Sequence, residues 1–135
     1  MQAVPVTAEK PTILVVDDTP ENLMLISDLL RKDFNVKVAN NGQRALVLAT
    51  TGVVPHLVLL DVMMPGMDGY EVCRQLKSDP VTRIIPVVFL TAMGAVEDER
   101  KAMEVGAGNF LTKPVSPSKL MDIIKAHLPV AAKRN

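Results

Sequence analysis

Short apolar runs alternate along the chain with longer segments in which apolar residues recur every three or four positions. The short runs are rich in Val, Ile and Leu, which is typical of buried strands. The run at 35–39 instead alternates polar and apolar residues, as a half-buried edge strand does. Five strands are therefore predicted, at residues 12–16, 35–39, 56–60, 86–90 and 109–112.

The segments between the strands have the features of amphipathic helices. A capping residue followed by proline marks two helix starts, at 19–20 and 116–117. Five helices are predicted. The third begins at Asp68, with Glu71 three residues later as an acidic relative of the capping box, and it ends before Asp79–Pro80. The fourth covers 95–105 and ends before Gly106. The expected buried faces are Leu23, Ile26, Leu29 and Leu30 in the first helix, Ala45, Leu46 and Ala49 in the second, Val72, Cys73 and Leu76 in the third, and Leu120, Ile123, Ile124 and Leu128 in the fifth.

The regular alternation of strands and helices predicts the fold class. It indicates an α/β domain, in which helices cover both faces of a doubly wound parallel sheet through right-handed crossovers. We expect this domain to span residues 11–128, after a flexible leader at 1–10 and before a basic tail or the start of a linker at 129–135. In such sheets, binding and catalytic sites form at the carboxyl ends of the strands.

Composition narrows the class of protein. Fifteen basic residues balance fifteen acidic ones and aromatic residues make up 3%, which argues against a nucleic-acid surface. No apolar run approaches the roughly 18 residues that span a bilayer, and the first residues lack the pattern of a signal peptide. Cys73 is the one cysteine, which excludes an internal disulfide. We therefore expect a cytoplasmic protein that binds neither nucleic acid nor membrane directly.

Acidic, hydroxyl or ammonium side chains follow four of the five predicted strands, and the second strand is followed only by Asn40. Asp17 and Asp18 end the first strand, Asp61 the third, Thr91 the fourth and Lys113 the fifth. Parallel strands bring these residues to one edge, where two unit charges about 4 Å apart repel by roughly 4 kcal/mol at an effective dielectric near 20. Mg²⁺ with oxygen ligands would remove this repulsion. With an ammonium and a hydroxyl, such a site suits phosphoryl transfer, and a carboxylate is a possible nucleophile.

These residues and one long motif resemble a known family. The stretch "LLDVMMPGMDGYEVCRQLK" at 59–77 is similar to the phosphorylation-site motif of CheY-like receiver domains of two-component response regulators. The resemblance extends over roughly residues 12–128. It implies a flavodoxin-like sheet of strand order 2-1-3-4-5 with five helices, and an Asp61 that accepts a phosphoryl group from a histidine kinase or histidine phosphotransfer protein in a Mg²⁺-dependent reaction.

The resemblance also implies a role for each residue of the motif. The implied Mg²⁺ ligands are Asp17, which helps through water, Asp18, Asp61 and the main-chain carbonyl of Met63. The implied contacts of the phosphoryl oxygens are Thr91 and Lys113, and the Lys113–Pro114 bond is cis in the family. Phe110 stands at the position of the aromatic switch residue, although a core aromatic in a short strand is the alternative interpretation.

Phosphorylation in this family changes the surface formed by the fourth helix, the fifth strand and the fifth helix. The expected readers of that surface are a downstream protein, an output domain or a second copy in a homodimer. The chain is then not an enzyme but a phosphoacceptor that assists its own phosphorylation and dephosphorylation. The motif also resembles that of receivers attached to domains that make or hydrolyse cyclic di-GMP.

Other functions compete with this interpretation. An aspartyl-phosphate phosphatase of the haloacid dehalogenase type needs an acid two residues after its nucleophile, where this chain has Met63 after Asp61. A flavodoxin-like cofactor binder would need a glycine-rich phosphate loop, which is missing from the sequence. A phosphorylation-independent protein-binding module of the same fold remains the alternative.

Two methionines near the predicted acceptor lead to a further hypothesis. Met63 lies two residues after Asp61, and Met93 lies two residues after Thr91. In the family these positions influence how water reaches the acyl phosphate. Two apolar side chains there are expected to shield it and to prolong the phosphorylated state.

Overall fold

The computed structural model describes residues 10–92 and 96–128. Its strands are β1 (Thr12–Val16), β2 (Asn35–Ala39), β3 (Leu57–Asp61), β4 (Val87–Thr91) and β5 (Asn109–Thr112). They form one parallel sheet in the order β2-β1-β3-β4-β5. The predicted strand order and edge position of β2 are therefore confirmed.

Five helices connect and follow the strands. They are α1 (Pro20–Leu30), α2 (Gly42–Thr50), α3 (Gly69–Ser78), α4 (Val96–Glu104) and α5 (Pro117–His127). All five predicted helices are present, and α3 ends before Asp79–Pro80 as expected. Met93, Ala95, most of the predicted leader and the whole of the predicted tail lie outside the described residues, so the domain bounds 11–128 stay a prediction.

Two hydrophobic cores lie on opposite faces of the sheet, because alternate residues of each central strand point to opposite sides. In β1, Ile13 and Val15 belong to one core, and Leu14 and Val16 belong to the other. All strand residues of β1, β3 and β4 are buried. The helix residues that complete the first core are Ile26, Leu30, Leu120 and Ile124. Those of the second core are Ala45, Ala49, Tyr70, Val72, Cys73, Leu76 and Ala102.

The starts of the helices follow the predicted caps only in part. Asp68 accepts a hydrogen bond from the backbone N–H of Glu71 at 2.9 Å, which is an N-cap. The Glu71 side chain, however, pairs with Arg74 and Gln75 and does not complete a capping box. Thr19 is the N-cap residue of α1 and Pro20 follows it, as predicted, although the Thr19 side chain makes no cap hydrogen bond.

The start of α3 lies directly against the end of β3. The backbone N–H of Gly69 donates to the carbonyl of Val62 at 2.8 Å. A Cβ atom at Gly69 would approach the carbonyl oxygen of Asp61 to 2.2 Å, closer than any real contact. Only glycine therefore fits here, and its fit fixes the path of the backbone just after Asp61.

Candidate functional site

The polar side chains predicted at the strand ends meet at one edge of the sheet. Carboxylate oxygens of Asp17, Asp18 and Asp61 all lie within 4.8 Å of one another. Lys113 follows β5, and its Nζ lies 2.9 Å from Asp17 Oδ2 and 3.1 Å from Asp61 Oδ1. The structure thus brings together three acids and one ammonium from the ends of β1, β3 and β5.

Asp17 is the most buried of the three acids and has no exposed surface. Its Oδ1 accepts the backbone N–H of Thr19 at 2.9 Å, the short-range bond of an Asx turn. Its Oδ2 accepts from Asn22 Nδ2 at 3.3 Å as well as from Lys113. This buried carboxylate is therefore satisfied on both oxygens, as burial of a charge requires.

Asp61 is the last residue of β3 and is 4% exposed. Burial, followed by the negative charge of Asp17, raises the pKa of Asp61 to about 6, although the hydrogen bond and charge of Lys113 act in the opposite direction. A carboxylate with a raised pKa is more basic than an ordinary one. The environment of Asp61 therefore favours its reaction with an electrophile.

Lys113 supplies the positive charge of the site. Burial lowers the pKa of Lys113, but its hydrogen bonds and charge pairs with Asp17 and Asp61 outweigh burial and raise it overall. The ammonium thus stays protonated at neutral pH. An ammonium 20% exposed beside a buried carboxylate can also pair with an anionic group that approaches Asp61.

The remaining predicted residues take up different positions. Thr91 ends β4, is 4% exposed, and its carbonyl accepts the backbone N–H of Lys113 at 2.7 Å. Phe110 on β5 is partly buried against the core and pairs in register with Phe89. The side chain of Met63 is 74% exposed, and Met93 lies outside the described residues. The Lys113–Pro114 bond is cis, as the resemblance implied.

The donor set of the cluster suits a hard divalent cation. All three acids offer oxygen, the ligand that Mg²⁺ prefers, and three close carboxylates need positive charge to be stable together. Asp17 and Asp61 are buried, whereas Asp18 is less so. The residues present therefore fit Mg²⁺.

One residue of the site was missed from the sequence. Asn22, in the first turn of α1, donates its amide to Asp17. Its place on the helix that follows the Asp17–Asp18 pair is a signal that could have found it, because the first turn of a helix lies close to the end of the preceding strand.

Similarity to known proteins indicates the family of the chain. The Response regulator receiver domain family matches residues 13–125. Response regulator PleD of Caulobacter vibrioides is 45% identical over 115 residues, which cover 84% of this chain and 25% of PleD. A Vibrio cholerae protein named as a probable cyclic di-GMP phosphodiesterase is 43% identical over 117 residues, 87% of this chain and 26% of that protein. The chain spans about a quarter of the length of these relatives.

A solved structure also resembles this one closely. The receiver domain of the sensor histidine kinase PA1611 from Pseudomonas aeruginosa, with a magnesium ion coordinated in its active-site cleft, is 26% identical and superposes with a TM-score of 0.81. The match covers 89% of this chain and 98% of that domain. Within the described residues, no helix is long and apolar enough to cross a membrane. The family match over residues 13–125, the strand order and the acidic edge lead to one conclusion: the chain belongs to the response regulator receiver domain family.

Proposed function

We propose that this chain is a phosphoacceptor signalling module in which Asp61 accepts a phosphoryl group from a phosphohistidine. The donor would be a histidine kinase or a histidine phosphotransfer protein. One observation carries the proposal: Asp61 is a buried carboxylate whose pKa is raised to about 6, with an ammonium at 3.1 Å and two further acids beside it. Burial of this kind is costly and is typical of functional sites.

Mg²⁺ is expected to bind at the acidic cluster. Asp17, Asp18 and Asp61, together with the main-chain carbonyl of Met63, would hold it. When bound, the ion supplies positive charge that offsets repulsion among the carboxylates and the phosphoryl oxygens. This expectation rests on the oxygen donors that lie within 4.8 Å of one another and on magnesium being a general feature of the family.

Asp61, Lys113 and Thr91 have different roles in the phosphoryl transfer. A carboxylate oxygen of Asp61 attacks phosphorus, so that an O–P bond forms as the P–N bond to the histidine ring breaks. The electron pair of the broken bond remains on the ring nitrogen of the donor. Lys113 and Thr91 then contact oxygens of the new acyl phosphate, the ammonium by charge and the hydroxyl by donation. The chain is itself the substrate of this reaction.

Signal output is expected at the surface formed by α4, β5 and α5. Lys113 directly follows β5, so its movement toward the phosphoryl group would pull on this strand and on Phe110. A groove of about 590 Å³ lies between β5 and α5, with Phe110, Pro114, Lys119 and Ile123 among its lining residues. A downstream protein, an output domain or a second copy that prefers the altered surface would shift the population toward it.

The test of this proposal is intact-protein mass spectrometry after incubation with acetyl phosphate. The chain and its Asp61→Asn variant are each treated with Mg²⁺ or with EDTA. Asp28→Asn serves as the matched control, because Asp28 is an exposed acid on α1 with a side chain 61% exposed. We expect one added phosphoryl group in the wild type and in the control, only with Mg²⁺, and none in Asp61→Asn.

Two outcomes would contradict the proposal. A phosphoryl group that persists in Asp61→Asn would place the acceptor elsewhere. Failure of the wild type to take up phosphate or the phosphoryl mimic beryllofluoride, read by thermal shift, would favour the phosphorylation-independent binding module.

A further inference from the structure

The amide of Asn22 reaches from the first turn of α1 to the buried acid at the end of β1. Asn22 lies three residues after the N-cap Thr19, and its Nδ2 donates to Asp17 Oδ2 at 3.3 Å. Asn22 is partly buried. The bond therefore ties the helix directly to one oxygen of a carboxylate in the acidic cluster.

Asp17 is oriented by three donors that differ in stiffness. The backbone N–H of Thr19 fixes Oδ1, while Asn22 and Lys113 both donate to Oδ2. The ammonium of Lys113 sits on a flexible four-carbon stem, is 20% exposed and also contacts Asp61. The short amide of Asn22 is anchored on a helix instead. If Lys113 moves toward a phosphoryl group, Asn22 is the donor that remains on Oδ2.

We propose that Asn22 is a positioning residue, which holds the carboxylate of Asp17 in the orientation that Mg²⁺ binding requires. This inference rests on the proposed function, since it assigns Asn22 to the same site. Hydrogen-bond partners of metal-binding groups commonly act in this way, because they restrict the rotation of the group that faces the metal or its bound water. Asn22 itself would contact neither the ion nor the phosphoryl group.

A positioning role predicts a difference between two metals. Mg²⁺ requires a nearly ideal octahedral geometry, whereas the larger Ca²⁺ tolerates irregular ligand arrangements. Loss of the Asn22 amide removes one of the two donors on Asp17 Oδ2 but leaves the charge of the carboxylate. The affinity for Mg²⁺ should therefore fall by about 10-fold, the lower end of the range for such partners, because the Thr19 and Lys113 donors remain. The affinity for Ca²⁺ should change by less than about threefold, since its geometry is more tolerant.

The experiment is calorimetric titration of the metal-free chain with MgCl₂ and, separately, with CaCl₂. Asn22→Leu removes the amide at similar volume, and Asn22→Ala is measured beside it so that a folding defect of one variant does not end the test. Met24→Ala is the matched control, since Met24 is on the same helix and is 66% exposed. Urea unfolding establishes that each variant is folded.

A selective loss of Mg²⁺ affinity in either folded Asn22 variant, with the control unchanged, supports the positioning role. An unchanged affinity for Mg²⁺, an equal loss for both metals, or a wild type that binds no Mg²⁺ would each overturn it. Failure of the proposed function has a separate signature: a wild type that binds Mg²⁺ but takes up no phosphoryl group. In that case the role of Asn22 is still decided by how the ratio of Mg²⁺ affinity to Ca²⁺ affinity differs between the Asn22 variants and the wild type.

Discussion

Replacing Asp61 by asparagine should stabilise the fold at neutral pH. Asparagine has nearly the same shape but no charge, so the variant removes the cost of an ionised carboxylate that is 4% exposed. The pKa of Asp61 rises from the ordinary value of 3.8 to about 6. Each pKa unit corresponds to about 1.4 kcal/mol, so ionisation of Asp61 costs the folded state about 3 kcal/mol. That is a large share of a typical domain stability of about 5–15 kcal/mol.

The stabilisation should depend on pH in a defined direction. The pKa of Asp61 is higher in the folded than in the unfolded state, so folding favours the protonated carboxyl. Protonated Asp61 contributes fully to the free energy of unfolding below pH 3.8. This contribution is lost as the pH rises through about 6 and is absent at higher pH. The advantage of Asp61→Asn should therefore be small near pH 4 and reach about 3 kcal/mol near pH 7.5.

The assay is urea unfolding in EDTA, monitored by circular dichroism, near pH 4 and near pH 7.5. Differences between the variant and the wild type cancel the titrating groups that do not interact with Asp61. The exposed Asp28→Asn should change the free energy of unfolding by less than about 0.5 kcal/mol at both pH values. An Asp61→Asn variant that is less stable than the wild type at neutral pH, or equally stabilised at both pH values, would contradict an energetic cost of ionised Asp61. Added Mg²⁺ should raise the stability of the wild type more than that of the variant.

Three further predictions concern other parts of the chain. Cys73 is fully buried and burial raises its pKa to about 11, so iodoacetamide should label it only in denaturant; rapid native labelling would contradict this. His56 Nδ1 accepts the backbone N–H of Thr12 at 3.0 Å, so His56→Ala should cost about 1 kcal/mol in urea unfolding, while His56→Asn, which keeps an acceptor, should cost less. Met63→Asn should speed autodephosphorylation severalfold, and an unchanged rate would reject shielding by Met63.

The sequence predicted the fold well because its strands differ in pattern. The continuous apolar runs of β1, β3 and β4 correspond to strands buried on both faces, and the alternation of β2 corresponds to an exposed edge. A strand buried on both faces needs apolar residues at successive positions, so its burial is visible in the local sequence. The acids and the lysine at the strand ends were also predictable, since parallel strands bring their carboxyl ends to one edge.

Individual side-chain bonds were harder to predict. Thr19 has the right residue type for a cap, yet its backbone N–H is bound by Asp17 and its side chain makes no cap bond. Glu71 pairs with neighbours on its own helix rather than with the helix start. Asn22 reaches across from helix to strand end. The Asn22 bond depends on the distance between α1 and the end of β1, which local sequence patterns do not contain. At Thr19 and Glu71, in contrast, several local partners compete, and the sequence alone does not rank them.

The most direct test of the central claim is to locate the acyl phosphate within the chain. After incubation with acetyl phosphate and Mg²⁺, borohydride would reduce a phosphorylated aspartate to homoserine, and peptide mass spectrometry would identify its position. We expect homoserine at position 61 alone, and none when EDTA replaces Mg²⁺. Homoserine at Asp17 or Asp18 instead would contradict the claim that Asp61 is the phosphoacceptor.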